Sequence, residues 1–318
     1  MERRNLTKDI SGILNRYVLV LVLVLCVVVF SLIRPVFLSP GNLVNILLQN
    51  SYLVIATVGV ALIMISGGTD LSVSYEIALS GVLMAIAMMW WKLPIGVAVV
   101  LGIVISIIAS TINGLLSIKL NIHPMMTTLA TMMVFQGIVY IITGSQSIYN
   151  LPSGFKFLGQ GFVGPVPFSF IIMVIMVALA SFLLNKTYLG RYTYAIGSNA
   201  DASRLAGINV GLVKVGIFAI GGFIMGISTM ILLARAGSAT PSMALGTEFN
   251  CITACVLGGI SLKGGEGKLW GAVIGVFILG VLANGMQLIG LGIYPQYIAK
   301  GIILLASIGF DTYQKSKG

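Results

Sequence analysis

The sequence predicts an all-α polytopic membrane protein with about ten transmembrane helices, and three observations carry that prediction. Charged residues are only 8% of the 318 positions, 18 basic and 8 acidic, where a soluble domain carries about 25%. Hydrophobic residues reach 58%, and the mean hydropathy is +1.07. Charge-free runs recur at 17–33, 35–69, 77–91, 93–118, 157–185, 215–234, 249–262 and 269–299, and a helix needs roughly 20 apolar residues to cross hydrocarbon. The runs lack the polar/apolar alternation of a barrel strand. This composition excludes a soluble enzyme, a disordered chain and, despite the formal charge of +10, a nucleic-acid-binding domain.

Taken in order, the spans fall at 17–33, 44–65, 71–91, 95–117, 124–143, 168–185, 213–234, 249–262, 269–288 and 294–310. A basic segment, 1–16, precedes the first. No small-x-small cleavage pattern follows Ile33, so the first span reads as uncleaved. Gly67 and Gly68 interrupt the apolar run between the second and third spans. The eighth is short for a crossing and reads as a span extended by its flanks or as a broken helix. Ten spans put both termini on one side. With the N-terminus inside, thirteen basic residues lie inside and four (Arg34, Lys92, Lys156 and Arg235) outside, which is the positive-inside pattern. The chain therefore divides into a cytoplasmic segment 1–16, one membrane domain 17–310 and a cytoplasmic tail 311–318. Loop 144–167, rich in glycine and proline, is external, and loop 186–212 is cytoplasmic.

Several motifs dissolve on inspection. Gly159, Gly161 and Gly164 match the dinucleotide spacing, but Pro165 and Pro167 follow where a helix would have to open. Gly264, Gly265, Gly267 and Lys268 imitate a phosphate loop, yet Leu262 and Leu269 occupy positions that need glycine and Ser/Thr. ATP must be handled by a partner. His123 is the only histidine, and Cys26, Cys251 and Cys255 have apolar flanks, so neither a metal site nor a disulfide framework is expected. No cofactor is expected on this chain.

The 39 glycines cluster inside spans; Gly222 and Gly226, and Gly267, Gly271 and Gly275, recur at the spacing that lets transmembrane backbones approach closely. Ionisable residues at membrane depth are Asp70, Glu76, Glu248 and Lys300. Asp70 suits a helix N-cap region or, alternatively, substrate contact; Lys300 reads as a snorkelling cation or one held by a carbonyl, with a transport role as the alternative. Within the cytoplasmic loop, Ser198 or Asn199 can cap a helix over 200–206, and Gly207 can close it in the left-handed conformation. Ala202, Leu205 and Ala206 give it a small apolar face. A helix this short needs a support, either the membrane domain or a docked partner.

Three ordered motifs carry a resemblance. They are Gly67-Gly68-Thr69-Asp70-Leu71-Ser72-Val73, the run from Leu189 and Arg191 through Gly197, Asn199, Gly207 and Ile208, and Gly258-Gly259 with Gly264, Gly265 and Gly267. Over 40–310 the chain resembles the permease subunit of a bacterial ATP-binding-cassette importer of the ribose/xylose/galactose-type sugar permease family. The resemblance implies a bacterial inner-membrane location and no catalysis by this chain. It implies a cytoplasmic ATPase that contacts 195–208, an extracytoplasmic solute-binding protein, and a second permease copy or paralogue. Ser74 stands where the family usually has glycine, Asn250 where it has aspartate, and His123 to Met126 form an unusually Met-rich stretch.

Gly67 to Leu71 also resembles Gly258 to Leu262, which makes an inverted repeat of two five-helix halves an expectation. The translocation pathway is expected beside the fifth and eighth spans, at Thr127, Thr128, Thr131, Gln136, Asn250 and Thr253, because neutral hydroxyls and amides suit an uncharged polar cargo. The rival class, a self-contained secondary transporter or channel, is disfavoured by the lack of a carboxylate and histidine chain along the spans; within the importer class, branched-chain amino acids, nucleosides or a sugar-like signal molecule are the alternative cargoes.

Overall fold

The computed structural model describes residues 19–316, so the basic segment 1–16 and the last two residues of the tail lie outside it. Helices lie at all ten apolar segments. They are α1 (Leu19–Ile33 as described), α2 (Pro40–Ile65), α3 (Val73–Met89), α4 (Ile95–Lys119), α5 (Pro124–Thr143), α7 (Phe168–Lys186), α10 (Val210–Ala236), α11 (Thr247–Leu257), α12 (Leu269–Leu288) and α13 (Ile293–Ser316). Six of them, α2, α4, α5, α7, α10 and α12, are long and apolar enough to cross a membrane. The chain is thus an all-α, multi-pass membrane protein.

Helix α2 is the axis. Every residue from Leu53 to Ile65 is buried, as a helix apolar on all sides requires. Helices α7, α10, α11 and α12 pack against it, and α4, α5 and α7 present largely exposed apolar outer faces of the kind that meets lipid. Glycine sets the closest approaches. A Cβ at Gly222 or Gly226 would press on the backbone of α4 at Ser106 and Ile103, and one at Gly271 or Gly275 would overlap the carbonyls of Gly258 and Ala254. Of the small residues spaced by four, Gly267 differs: it lies in a loop at φ +124°, not on a helix face.

The expected loop 144–167 is ordered. It holds the short helix α6 (Ser153–Gln160) and a hairpin of β1 (Phe162–Val163) and β2 (Val166–Pro167), with Gly164 at φ +61° in its turn. The dinucleotide-like glycines are therefore a helix end and a hairpin turn. Gln160 donates from Nε2 to the carbonyl of Arg235 (2.9 Å), which caps the end of α10.

The eighth segment departs from expectation. Helix α11 spans only Thr247–Leu257, and 258–268 is irregular rather than helical to residue 262. Both α2 and α11 stop on the same device. Ser66 (φ −75°, ψ 2°) and Gly258 (φ −74°, ψ 0°) are followed by left-handed glycines, Gly67 and Gly259, both at φ +81°. The amides of Gly68 and Ile260 then donate five residues back, to Ile63 and Cys255. By geometry Gly67 matches Gly259, one residue out of the register read from the sequence.

Candidate functional site

Two places bring the singled-out residues together. The first is a glycine junction. Helix α8 (Tyr188–Ser198), which sequence reasoning did not separate from its loop, starts at Thr187, whose hydroxyl accepts from the amide of Gly190 (3.3 Å). Arg191 is exposed, and its guanidinium stacks over the Tyr188 ring at 4.2 Å. Thr193 and Ile196 are buried beneath α8, and Tyr194 donates from its hydroxyl to the carbonyl of Gly267 (2.9 Å). Burial also raises the Tyr194 phenol pKa, which keeps it a donor.

At the end of α8 the three motifs meet. The amide of Gly265 donates to the carbonyl of Ile65 (2.9 Å), the last residue of α2. A Cβ at Gly197 would overlap that carbonyl and the Gly265 amide, and one at Gly264 would stand 2.5 Å from the Cα of Gly67. Gly264 and Gly265 have φ of +87° and +75°. Only glycines allow three backbones to touch here.

Beyond the junction the chain leaves the bundle. Asn199 caps α9 (Ala200–Leu205) by accepting from the amide of Ala202 (2.9 Å), and Gly207 closes it at φ +84°, as the spacing predicted. Ala202 is exposed, Leu205 is 91% exposed, Ser203 is buried underneath, and Ile208 is half-buried. Asp201 and Arg204 pair at 3.0 Å across the exposed surface.

The break between α2 and α3 is lined with polar groups. Asp70 is fully buried, and its Oδ1 accepts from both the amide (2.8 Å) and the hydroxyl (2.7 Å) of Ser72, so it satisfies the entry to α3. The hydroxyl of Ser72 in turn accepts from Asn113 of α4 (2.8 Å), and Glu76 accepts from Ser106 (2.9 Å). Thr128 of α5 accepts from the amide of Leu71 (3.0 Å) and donates to the carbonyl of Thr69 (3.2 Å). Gly68 sits between Ile63 and Pro124.

The second place is a cavity of about 390 Å³ between α11 and α13. Asn250, Thr253, Tyr297, Lys300 and Leu304 line it, with Gly246 at its edge. The expected pathway residues thus separate into two groups. Asn250 and Thr253 face this cavity. Thr127, Thr128 and Thr131 are buried against α3 and α4, with Phe135 on the same face, while Gln136 is half-buried. Lys300, read from the sequence as a snorkelling or carbonyl-held cation with a transport role as the alternative, lines the cavity. Its spacing from Tyr297 on one helix, set against Asn250 and Thr253 on a neighbouring one, was the available signal.

Comparison with known proteins follows this geometry. Residues 42–308 match the family described as the branched-chain amino acid transport system / permease component. The chain is 35% identical to the ribose import permease protein of Haemophilus influenzae, over 93% of this chain and 92% of that protein. It is 36% identical to the galactose/methyl galactoside import permease protein of Escherichia coli, over 95% of this chain and 94% of that one. It is 36% identical to the L-arabinose transport system permease protein of the same organism, over 95% and 92%. No solved structure matches the chain. With a family match across most of its length and these relatives, the chain belongs to the branched-chain amino acid transport system / permease component family.

Proposed function

We propose that this chain forms the solute pathway of an ATP-binding-cassette importer for a monosaccharide or a similar small polar solute. The observation that carries the reading is the glycine junction. It seats the end of α8 on the last turn of α2 and on the loop 258–268 between α11 and α12, and so carries the exposed, doubly capped helix α9 beside two helix breaks, as a docking element for a motor subunit would require. The names of the relatives supply the cargo class.

In this reading all ten apolar helices cross the membrane, with both termini cytoplasmic and the two halves related as an inverted repeat. Arg191, Gly197, Asn199, Ala202, Leu205, Gly207 and Ile208 form the ATPase-coupling element. Gly67, Gly68, Asp70, Leu71, Ser72, Gly258, Gly259, Gly264, Gly265 and Gly267 are its structural support. Asn250 and Thr253 line the pathway; Thr127, Thr128, Thr131 and Gln136 support its wall, joining it only if α3 moves. A cytoplasmic ATPase hydrolyses ATP, an extracytoplasmic binding protein delivers the solute, and a second permease copy or paralogue completes the assembly.

The test is reconstitution of permease, ATPase and binding protein in proteoliposomes, with radiolabelled ribose, galactose, arabinose and xylose supplied outside. ATP-dependent uptake of at least one is expected. Uptake that ignores ATP would point to a self-contained transporter, and a complex with one permease per two ATPases would sink the paired assembly.

A further inference from the structure

We infer that the cavity between α11 and α13 selects a hydroxylated solute bearing an acid group, with Lys300 as the selecting residue; this rests on the cavity being part of the pathway. Lys300 lies seven residues into α13, about 10 Å along the helix from Ile293. Its side chain is half-buried and lines the cavity beside Asn250, Thr253 and Tyr297. Those neighbours offer an amide, a hydroxyl and a phenol, and no carboxylate.

The cation has no counter-charge among the described residues. The one ion pair found there joins Arg204 and Asp201 on α9. Glu248 is the carboxylate of α11, but it is 2% exposed and lies beside Ser74 and Tyr75 of α3, away from the cavity. Thr253 donates its hydroxyl to the carbonyl of Phe249 (2.6 Å), so its oxygen keeps only acceptor capacity. A cation at membrane depth is retained at a cost, and such groups mark solute paths or have a partner. In this inference the partner comes from the solute. Lys300 supplies charge, Asn250 and Tyr297 supply hydrogen bonds to hydroxyls, and Leu304 with the exposed Leu245 and Phe249 gives the cavity an apolar rim.

The test uses full-length permease with its ATPase in proteoliposomes, carrying Leu304→Cys, at a half-buried position lining the cavity one turn from Lys300, and read above the parent chain with its own three cysteines. Neutral, anionic and cationic methanethiosulfonates of similar size report access and local potential. After correction for their rates on a free thiol, the anionic reagent should outpace the cationic one by about tenfold. Lys300→Met should bring the ratio close to one, Lys300→Arg should retain it, and Asn250→Asp should abolish it by supplying the missing counter-charge. D-galacturonate should slow labelling by the neutral reagent at lower concentration than D-galactose does. If the neutral reagent fails to label, the cavity is not on a pathway and both readings fall. If it labels but shows no anion preference, or a preference that survives Lys300→Met, or equal protection by the two sugars, this inference alone is overturned.

Discussion

Single residues decide how tightly the junction closes, and two glycines show it for different reasons. Gly197 has no room for a methyl group, because a Cβ there would meet the Ile65 carbonyl and the Gly265 amide. Gly207 has open space around it and is constrained only by φ +84°. Gly197→Ala should therefore cost about 1–3 kcal/mol through overpacking and lower the melting temperature of the detergent-solubilised protein. Gly207→Ala should cost about 1 kcal/mol and leave that melting curve nearly unshifted, since only the exposed cap of α9 is strained. Equal losses would mean that the contact at Gly197 is not tight. Ser106 gives a second case: its hydroxyl serves both Glu76 and the carbonyl of Gly222 (2.8 Å). Ser106→Ala leaves a buried carboxyl oxygen without its donor, and a loss of about 1–3 kcal/mol in thermal unfolding is expected. The two expected pathway groups also diverge here. Asn250→Cys should react with a small neutral thiol reagent and be protected by a transported sugar, whereas Thr128→Cys should stay inert, because Thr128 is 0% exposed and bonded to the turn at Thr69–Leu71.

At the scale of elements, α9 is held by its caps and by what lies beneath it. It has six residues, too few to persist alone, and the buried Ser203 bonds back to the carbonyl of Asn199 (2.8 Å). Ala202→Arg and Leu205→Asp alter only its exposed surface, so both variants should insert and accumulate normally. Both should lose ATPase association in pull-down and lose coupled uptake; normal transport by both would remove the docking role from α9. The caps of α9 were legible in advance because they depend on residues a few positions apart. So were the apolar helices, whose positions follow from charge-free runs, although α11 and α12 end inside theirs at glycine-marked turns. Helices α6 and α8 were not, since they are short, amphipathic and interrupted by glycines that read as loop. The surroundings of Lys300 were not legible for a related reason: the sequence shows its depth along α13 but not that Asn250 of α11 lines the same cavity. Thr128 and Asn250 were grouped by chemistry, and only long-range packing puts them on different sides of α3.

For the whole molecule, the positive-inside reading makes a two-sided prediction. A cysteine placed at Asp201 on α9 should be labelled by an impermeant reagent only after inside-out vesicles are made, and one placed at Ser153, at the start of α6, only in intact cells. The structure places these two helices at opposite ends of the bundle, α6 against the end of α10 and α9 before its start. Labelling of both from the same side would overturn the ten-crossing topology.

The glycine junction also bears on how force passes through the protein. Flexible side chains between α8, the end of α2 and the loop 258–268 would act as springs, and a push on α8 would be partly absorbed in rotamer changes. Backbone lying directly on backbone leaves little compliance. A displacement of α8 by an ångström or so should reach both helix breaks together and almost undiminished, like a linkage without backlash. The two breaks would then shift in one stroke rather than in sequence.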